Sequence, residues 1–136
     1  MRRRIQASDE EVSALLLEVG RSEATLAAGP AAKGDMMILL GEVLNNVVEH
    51  AAVGRETTVI DVTLTFGARA IQVETVDDGH PLPGACLSSA TLPRHDGVID
   101  ELPEGGFGWF IIHQIADDIG YERVDGRNCL TLSIAR

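Results

Sequence analysis

The chain has 136 residues, 45% of them apolar and 24% charged, with a formal net charge of -10. That length suits one domain over residues 1–136, burying about two-thirds of its unfolded surface without disulfide staples, and the acidic balance argues against a nucleic-acid partner. No apolar run reaches the roughly 18 residues of a membrane span and no signal-peptide pattern opens the chain, so a cytoplasmic protein with no membrane partner is expected.

Residues 8–20 read as the first helix. Ser8 is its N-cap, Glu11 completes a capping box, and Val12, Leu15, Leu16 and Val19 form an apolar stripe that Gly20 ends. Residues 21–34, rich in Ala, Gly and Pro, leave room for a short helix at 22–28. Asp35 then caps a second helix, Met36 to about Ala51.

Residues 57–66 alternate, with Ile60, Val62, Leu64 and Phe66 on one face and Asp61, Thr63 and Thr65 on the other. Gly67-Ala68-Arg69 turns the chain into a second strand, Ala70 to Val76, making a hairpin. Residues 79–104 are dense in Gly, Pro, Ser and Asp, and so long an irregular loop in a compact domain points to function or disorder. A helix from about Phe107 to Asp118 follows. Strands near 120–124 and 128–134 close the chain across an Asp125-Gly126-Arg127-Asn128 turn. The pattern predicts an α+β, two-layer sandwich with helices on one face of a mixed, largely antiparallel sheet. Cys86 and Cys129 lie far apart and suit reduced thiols, and the four histidines show no zinc-ligand spacing.

Three segments carry chemistry. On the helix at 36–51, Gly41, Glu42, Asn45, Asn46, Glu49 and His50 form a polar stripe beside the apolar one, with Glu42 and Asn46 stacked four apart. A solvated outer face is one reading. Paired asparagines lower helix propensity, and Gly41 costs roughly 1 kcal/mol against alanine; both favour a stripe that meets a ligand or a close neighbour. The second segment, Asp77-Asp78-Gly79-His80-Pro81, is either a plain turn or a carboxylate fixed at a strand end, able to accept a hydrogen bond from an amine such as that of adenine. The third, Gly105-Gly106-Phe107-Gly108, runs into an apolar helix. It is either a tight turn or an anion site, since a helix N-terminus carries roughly half a positive charge and glycine lets a ligand approach the backbone. There is no G-x-x-x-x-G-K-[ST], and the single lysine, Lys33, stands outside any glycine loop, which excludes a P-loop mechanism.

Taken in order, Glu42-x-x-x-Asn46-x-x-x-His50-Ala51, Asp77-x-Gly79-x-Pro81 and Gly105-Gly106-x-Gly108 resemble the N, G1 and G2 boxes of the GHKL (histidine-kinase-like) ATPase superfamily. The run Gly105 to Ile112 and the pair Asp117-Asp118 resemble the anti-sigma-factor serine/threonine protein kinases within it, over about Asp35 to Ile134. Pro81 stands where many members place a second glycine, and Arg94 is the one arginine ahead of the Gly105 run in a stretch that also holds Asp100, Glu101 and Glu104.

The resemblance implies a Bergerat-type fold that binds ATP and Mg2+. It implies Asn46 as the Mg2+ ligand, Glu42 as general base, and Asp77 as the partner of the adenine amine, with Gly79 letting the base approach. Gly105, Gly106 and Gly108 would shape the phosphate loop, and residues about 84–104 would form an ATP lid. The implied function is a regulatory kinase of a partner-switching system, phosphorylating a serine or threonine on a small antagonist protein, with a sigma factor as a further partner and a homodimer as its assembly. The alternatives are a non-catalytic nucleotide- or partner-binding module of the same fold, and a detached histidine-kinase catalytic domain. No histidine-bearing dimerisation helix precedes the domain, so a complete sensor histidine kinase is not expected.

Overall fold

The computed structural model describes residues 1–88 and 106–136; Gly105, Arg94 and the larger part of the expected lid lie outside the described residues. The chain opens with a strand absent from the sequence reading, β1 (Arg2–Gln6). Three consecutive arginines argue for a solvated segment, yet the backbone pairs with residues 59–63 and two of the arginines form ion pairs. Arg4 pairs with Asp61 through two contacts, Nε to Oδ1 at 2.7 Å and Nη2 to Oδ2 at 3.1 Å, and Arg3 Nε reaches Glu18 Oε1 at 2.6 Å.

Helix α1 (Asp9–Arg21) begins as expected, with the Ser8 side chain accepting from the Glu11 N–H, while the Glu11 carboxylate reaches back to the N–H of Gln6. It does not stop at Gly20. Ser22 ends it, donating its N–H and hydroxyl to Val19 O, and the same Ser22 side chain caps the short α2 (Glu23–Ala27). Helix α3 (Pro30–Asn46) starts five residues ahead of the expected Asp35 cap. Gly29 occupies the cap and Pro30 the first helical position, where a missing N–H costs nothing. At its far end the helix widens into a π-helical turn, Val47–Ala51.

β2 (Val59–Phe66) and β3 (Ala70–Asp77) form the expected hairpin, which runs one residue further and ends on Asp77. The segment after it is not wholly irregular, since Ala85–Ser88 make a four-residue helix, α4. α5 (Gly106–Ile115) is shorter than expected because β4 (Asp118–Val124) already starts at Asp118. β5 (Arg127–Ala135) returns across Asp125 and Gly126, both at positive φ (51° and 74°), as a two-residue hairpin turn demands.

The sheet order is β1-β2-β3-β5-β4, and all four pairings are antiparallel rather than mixed. One face is buried: Ile60, Val62 and Leu64 of β2, Ile71 and Val73 of β3, and Leu130, Leu132 and Ile134 of β5 are all at most 8% exposed. Val12, Leu15 and Val19 of α1, Met36, Leu40, Val43 and Leu44 of α3, and Ile112 of α5 belong to the same core. This is the α+β arrangement that strict alternation in β2, β3 and β5 predicts. Among the described residues no helix is long and apolar enough to cross a membrane, and both cysteines are free.

Candidate functional site

The polar stripe of α3 divides: Asn46 turns inward, Glu42 and His50 are half-buried, and the rest of it does not join them. Asn46 is only 8% exposed, and its Nδ2 is buried without a hydrogen-bond partner among the described residues. Leaving such a group unpaired costs about 1–3 kcal/mol, so a buried, unsatisfied amide marks a place built for something else. Asn46 is the last α-helical residue before the π turn, a distortion that recurs at functional sites. Within that turn His50 Nε2 is likewise buried and, among the described residues, unpaired. Asn45 and Glu49, which shared the predicted stripe, are exposed. Gly41 does not face the cleft either: a methyl group there would meet only Leu16 Cδ1, at 3.9 Å.

Helix α5 brings its first turn onto this stripe. A Cβ on Gly108 would lie 2.7 Å from Glu42 Oε2 and 3.8 Å from Asn46 Nδ2, so bare backbone rests against the carboxylate and the unpaired amide. The first N–H groups of a helix have no intrahelical partner and carry partial positive charge. Three chemistries therefore meet at one point: a carboxylate, a free carboxamide and an anion-favouring helix terminus. Rotating the amide by half a turn exchanges its nitrogen and oxygen, which makes Asn46 fit as an oxygen ligand for a hard cation. Among the described residues no three His, Cys, Asp or Glu side chains gather to hold a metal. A cation here would rely on Asn46 and on the oxygens of its own ligand, as Mg2+ commonly does. Gly106 opens α5, whereas Gly105 lies outside the described residues.

The other end of the site is Asp77, the last residue of β3, only 5% exposed. Burial pushes its carboxyl above the ordinary carboxylate range. Hydrogen bonds from Asn128 and Gly79 oppose that, the charge of Asp78 adds to it, and Arg123 offsets it. Oδ1 accepts from the Gly79 N–H and from Asn128 Nδ2, both at 2.9 Å. Among the described residues Oδ2 accepts no hydrogen bond. Gly79 has a packing reason to be glycine: a Cβ would sit 2.5 Å from Ala51 O. The His80 N–H donates to that same carbonyl at 2.8 Å, so the end of the π turn and the residues after Asp77 are joined.

The structure thus gathers Glu42, Asn46 and Gly108 in one cluster and Asp77 with Gly79 in another, linked through Ala51. Sequence reasoning missed Asn128, which bonds Asp77, and Tyr121 and Arg123, which bond Asn128 in turn. Tyr121 OH and Arg123 Nη1 both donate to Asn128 Oδ1, at 2.6 and 2.9 Å, and Arg123 Nη1 also reaches Gly79 O at 3.1 Å. The Leu82 N–H in turn donates to Tyr121 OH at 3.1 Å. Only the β3–β5 register places Asn128 opposite Asp77, and no local pattern encodes that.

Residues 5–134 match the family model described as the histidine kinase-like ATPase domain. The serine-protein kinase RsbW of Oceanobacillus iheyensis is 28% identical over 86 residues, 62% of this chain and 54% of that protein. The serine/threonine-protein kinase BtrW of Bordetella bronchiseptica is 30% identical over 92 residues, 68% of this chain and 63% of that protein. The chain therefore spans less than two-thirds of the length of the curated relatives it matches. The histidine kinase domain of a blue-light activated histidine kinase from Erythrobacter litoralis aligns over 94% of this chain and 63% of its own, with a TM-score of 0.54 at 19% identity. At that identity the likeness speaks for the fold alone.

Proposed function

This chain belongs to the histidine kinase-like ATPase family, and from that premise we propose that it is an ATP-dependent serine/threonine protein kinase acting as an anti-sigma regulator in a partner-switching system. The observation that carries the reading is the meeting of Glu42, the unpaired Asn46 amide and the Gly108 backbone at the first turn of α5. A pure binding module needs no carboxylate at that spot. The relatives named as serine-protein kinases support the choice of acceptor.

In this reading Asp77 Oδ2 accepts the adenine amine, Asn46 would hold Mg2+, and the first turn of α5 with Gly106 and Gly108 faces the phosphates. Mg2+ supplies neutralisation of phosphate charge when bound. Glu42 takes the proton of a serine or threonine hydroxyl as that oxygen bonds to the γ-phosphorus, the bridging P–O bond breaks, and ADP leaves with the electron pair. Such transfer depends on positioning and charge stabilisation more than on covalent chemistry of the enzyme, which suits so small a set of groups. The hydroxyl belongs to a small antagonist protein, and the net charge of -10 is complementary to a basic segment of a sigma factor. The protein works in the cytoplasm, as a homodimer.

The test is Mg2+-dependent ATP binding to the purified protein by calorimetry, with Asn46→Ala beside it. Binding by the intact protein and its loss in the variant is the expected result. No binding to the intact protein overturns the reading and leaves a partner-binding module.

A further inference from the structure

Asn128 lies directly across from Asp77 in the β3–β5 ladder and is 5% exposed. Its side chain uses every hydrogen-bonding position it has. Nδ2 donates to Asp77 Oδ1 at 2.9 Å and to His80 O at 2.7 Å, while Oδ1 accepts from Tyr121 OH at 2.6 Å and Arg123 Nη1 at 2.9 Å. An asparagine offers two N–H donors and two acceptor lone pairs, so the set is complete. It also fixes the orientation of the amide: reversed, its nitrogen would face the Arg123 donor and its oxygen the acceptors on Asp77 and His80. The consequence falls on Asp77. With the Gly79 N–H also on Oδ1 at 2.9 Å, that oxygen is filled, and Oδ2 is the one left open among the described residues.

We propose that Asn128, clamped by Tyr121 and Arg123, is a positioning and specificity-determining residue that closes Asp77 Oδ1 and leaves Oδ2 as a single open acceptor. This rests on the nucleotide reading given above. A site with one open acceptor suits adenine, whose exocyclic amine is the one donor group on its pairing edge. Guanine presents N1–H and the N2 amine side by side, a pair matched by a carboxylate with both oxygens free. Filling Oδ1 from within the protein removes that second acceptor, and a base donor left without one is penalised. The hydrogen bond from Asn128 also opposes the effect of burial on Asp77, where Asp78 and Arg123 are the charged groups that act on it. Its removal must shift the titration of Asp77 upward.

Two readouts on wild type, Asn128→Ala and Tyr121→Phe test this, with circular dichroism to establish that each is folded. The first is the carboxyl titration of Asp77 by NMR without ligand. The second is the calorimetric affinity for Mg-ATP and Mg-GTP. Asn128→Ala should titrate at higher pH and lose about tenfold of its preference for ATP over GTP, with Tyr121→Phe moving the same way by less. An unmoved titration in a folded Asn128→Ala overturns the positioning role, and an unmoved preference overturns the selection of base. If Asn128→Ala does not fold, Tyr121→Phe decides on the same criteria. A shifted titration in a protein whose wild type binds neither nucleotide supports the positioning and overturns the ATP reading.

Discussion

Glu42 and Gly108 touch, and that contact separates chemistry from folding. Glu42→Gln keeps the shape of the side chain and removes its basicity. Mg-ATP binding by calorimetry should persist, while transfer to a protein hydroxyl falls by about 10²- to 10⁴-fold; lost binding would make Glu42 structural instead. In Gly108→Ala the new methyl group would meet Glu42 Oε2, the movable end of a flexible side chain, at 2.7 Å. The fold should survive and transfer should drop by about tenfold or more as the carboxylate is pushed aside. Asp77 gives a pH dependence of two opposite signs. Its carboxyl is raised by burial, so above the ordinary aspartate pKa the native state retains a proton that the unfolded chain has released. Between that value and the raised one, stability falls as pH rises. Nucleotide binding, which uses the ionised oxygen, falls as pH drops through the raised value. Chemical denaturation and calorimetry across pH should show both slopes, and Asp77→Asn should flatten them.

Among the elements, the glycines of α3 and the glycines of the site behave in opposite ways. Nothing stands within 4 Å of a Cβ placed on Gly34, and only Leu16 meets one on Gly41. Alanine at either should raise stability by about 0.5–1 kcal/mol, read from thermal unfolding. Gly79→Ala would drive a Cβ into the backbone at Ala51 O and should cost about 1–3 kcal/mol or more. The elements legible in the sequence were those with strong period: β2 and β3 by alternation, α1 by its Ser8 cap, α5 by its glycine-led apolar run. β1 escaped because its pattern is arginine, and its pairing with β2, joined by ion pairs to the distant carboxylates of Glu18 and Asp61, is not written in the local sequence. The start of α3 escaped because Asp35 is a good cap residue that the longer helix simply includes. The cluster of Glu42, Asn46 and Gly108 was readable as motifs. Its polar logic was not, since the unpaired amide depends on burial and the Asn128 clamp depends on register.

At the scale of the whole molecule, the product distinguishes the family's two chemistries. A phosphorylated partner whose label survives acid carries phosphoserine or phosphothreonine, the expected outcome; an acid-labile, base-stable label would mark phosphohistidine and a detached histidine-kinase domain. Distant stretches of the chain build the site, for Asp77 and Asn128 are hydrogen-bonded across 51 residues of sequence. Their pairing closes a long excursion of the backbone, and the entropy of closing such a loop grows only logarithmically, by about 0.6 kcal/mol for each doubling of its length. The span between them can thus lengthen or shorten over evolutionary time at little thermodynamic expense, while the carboxylate and its amide stay face to face.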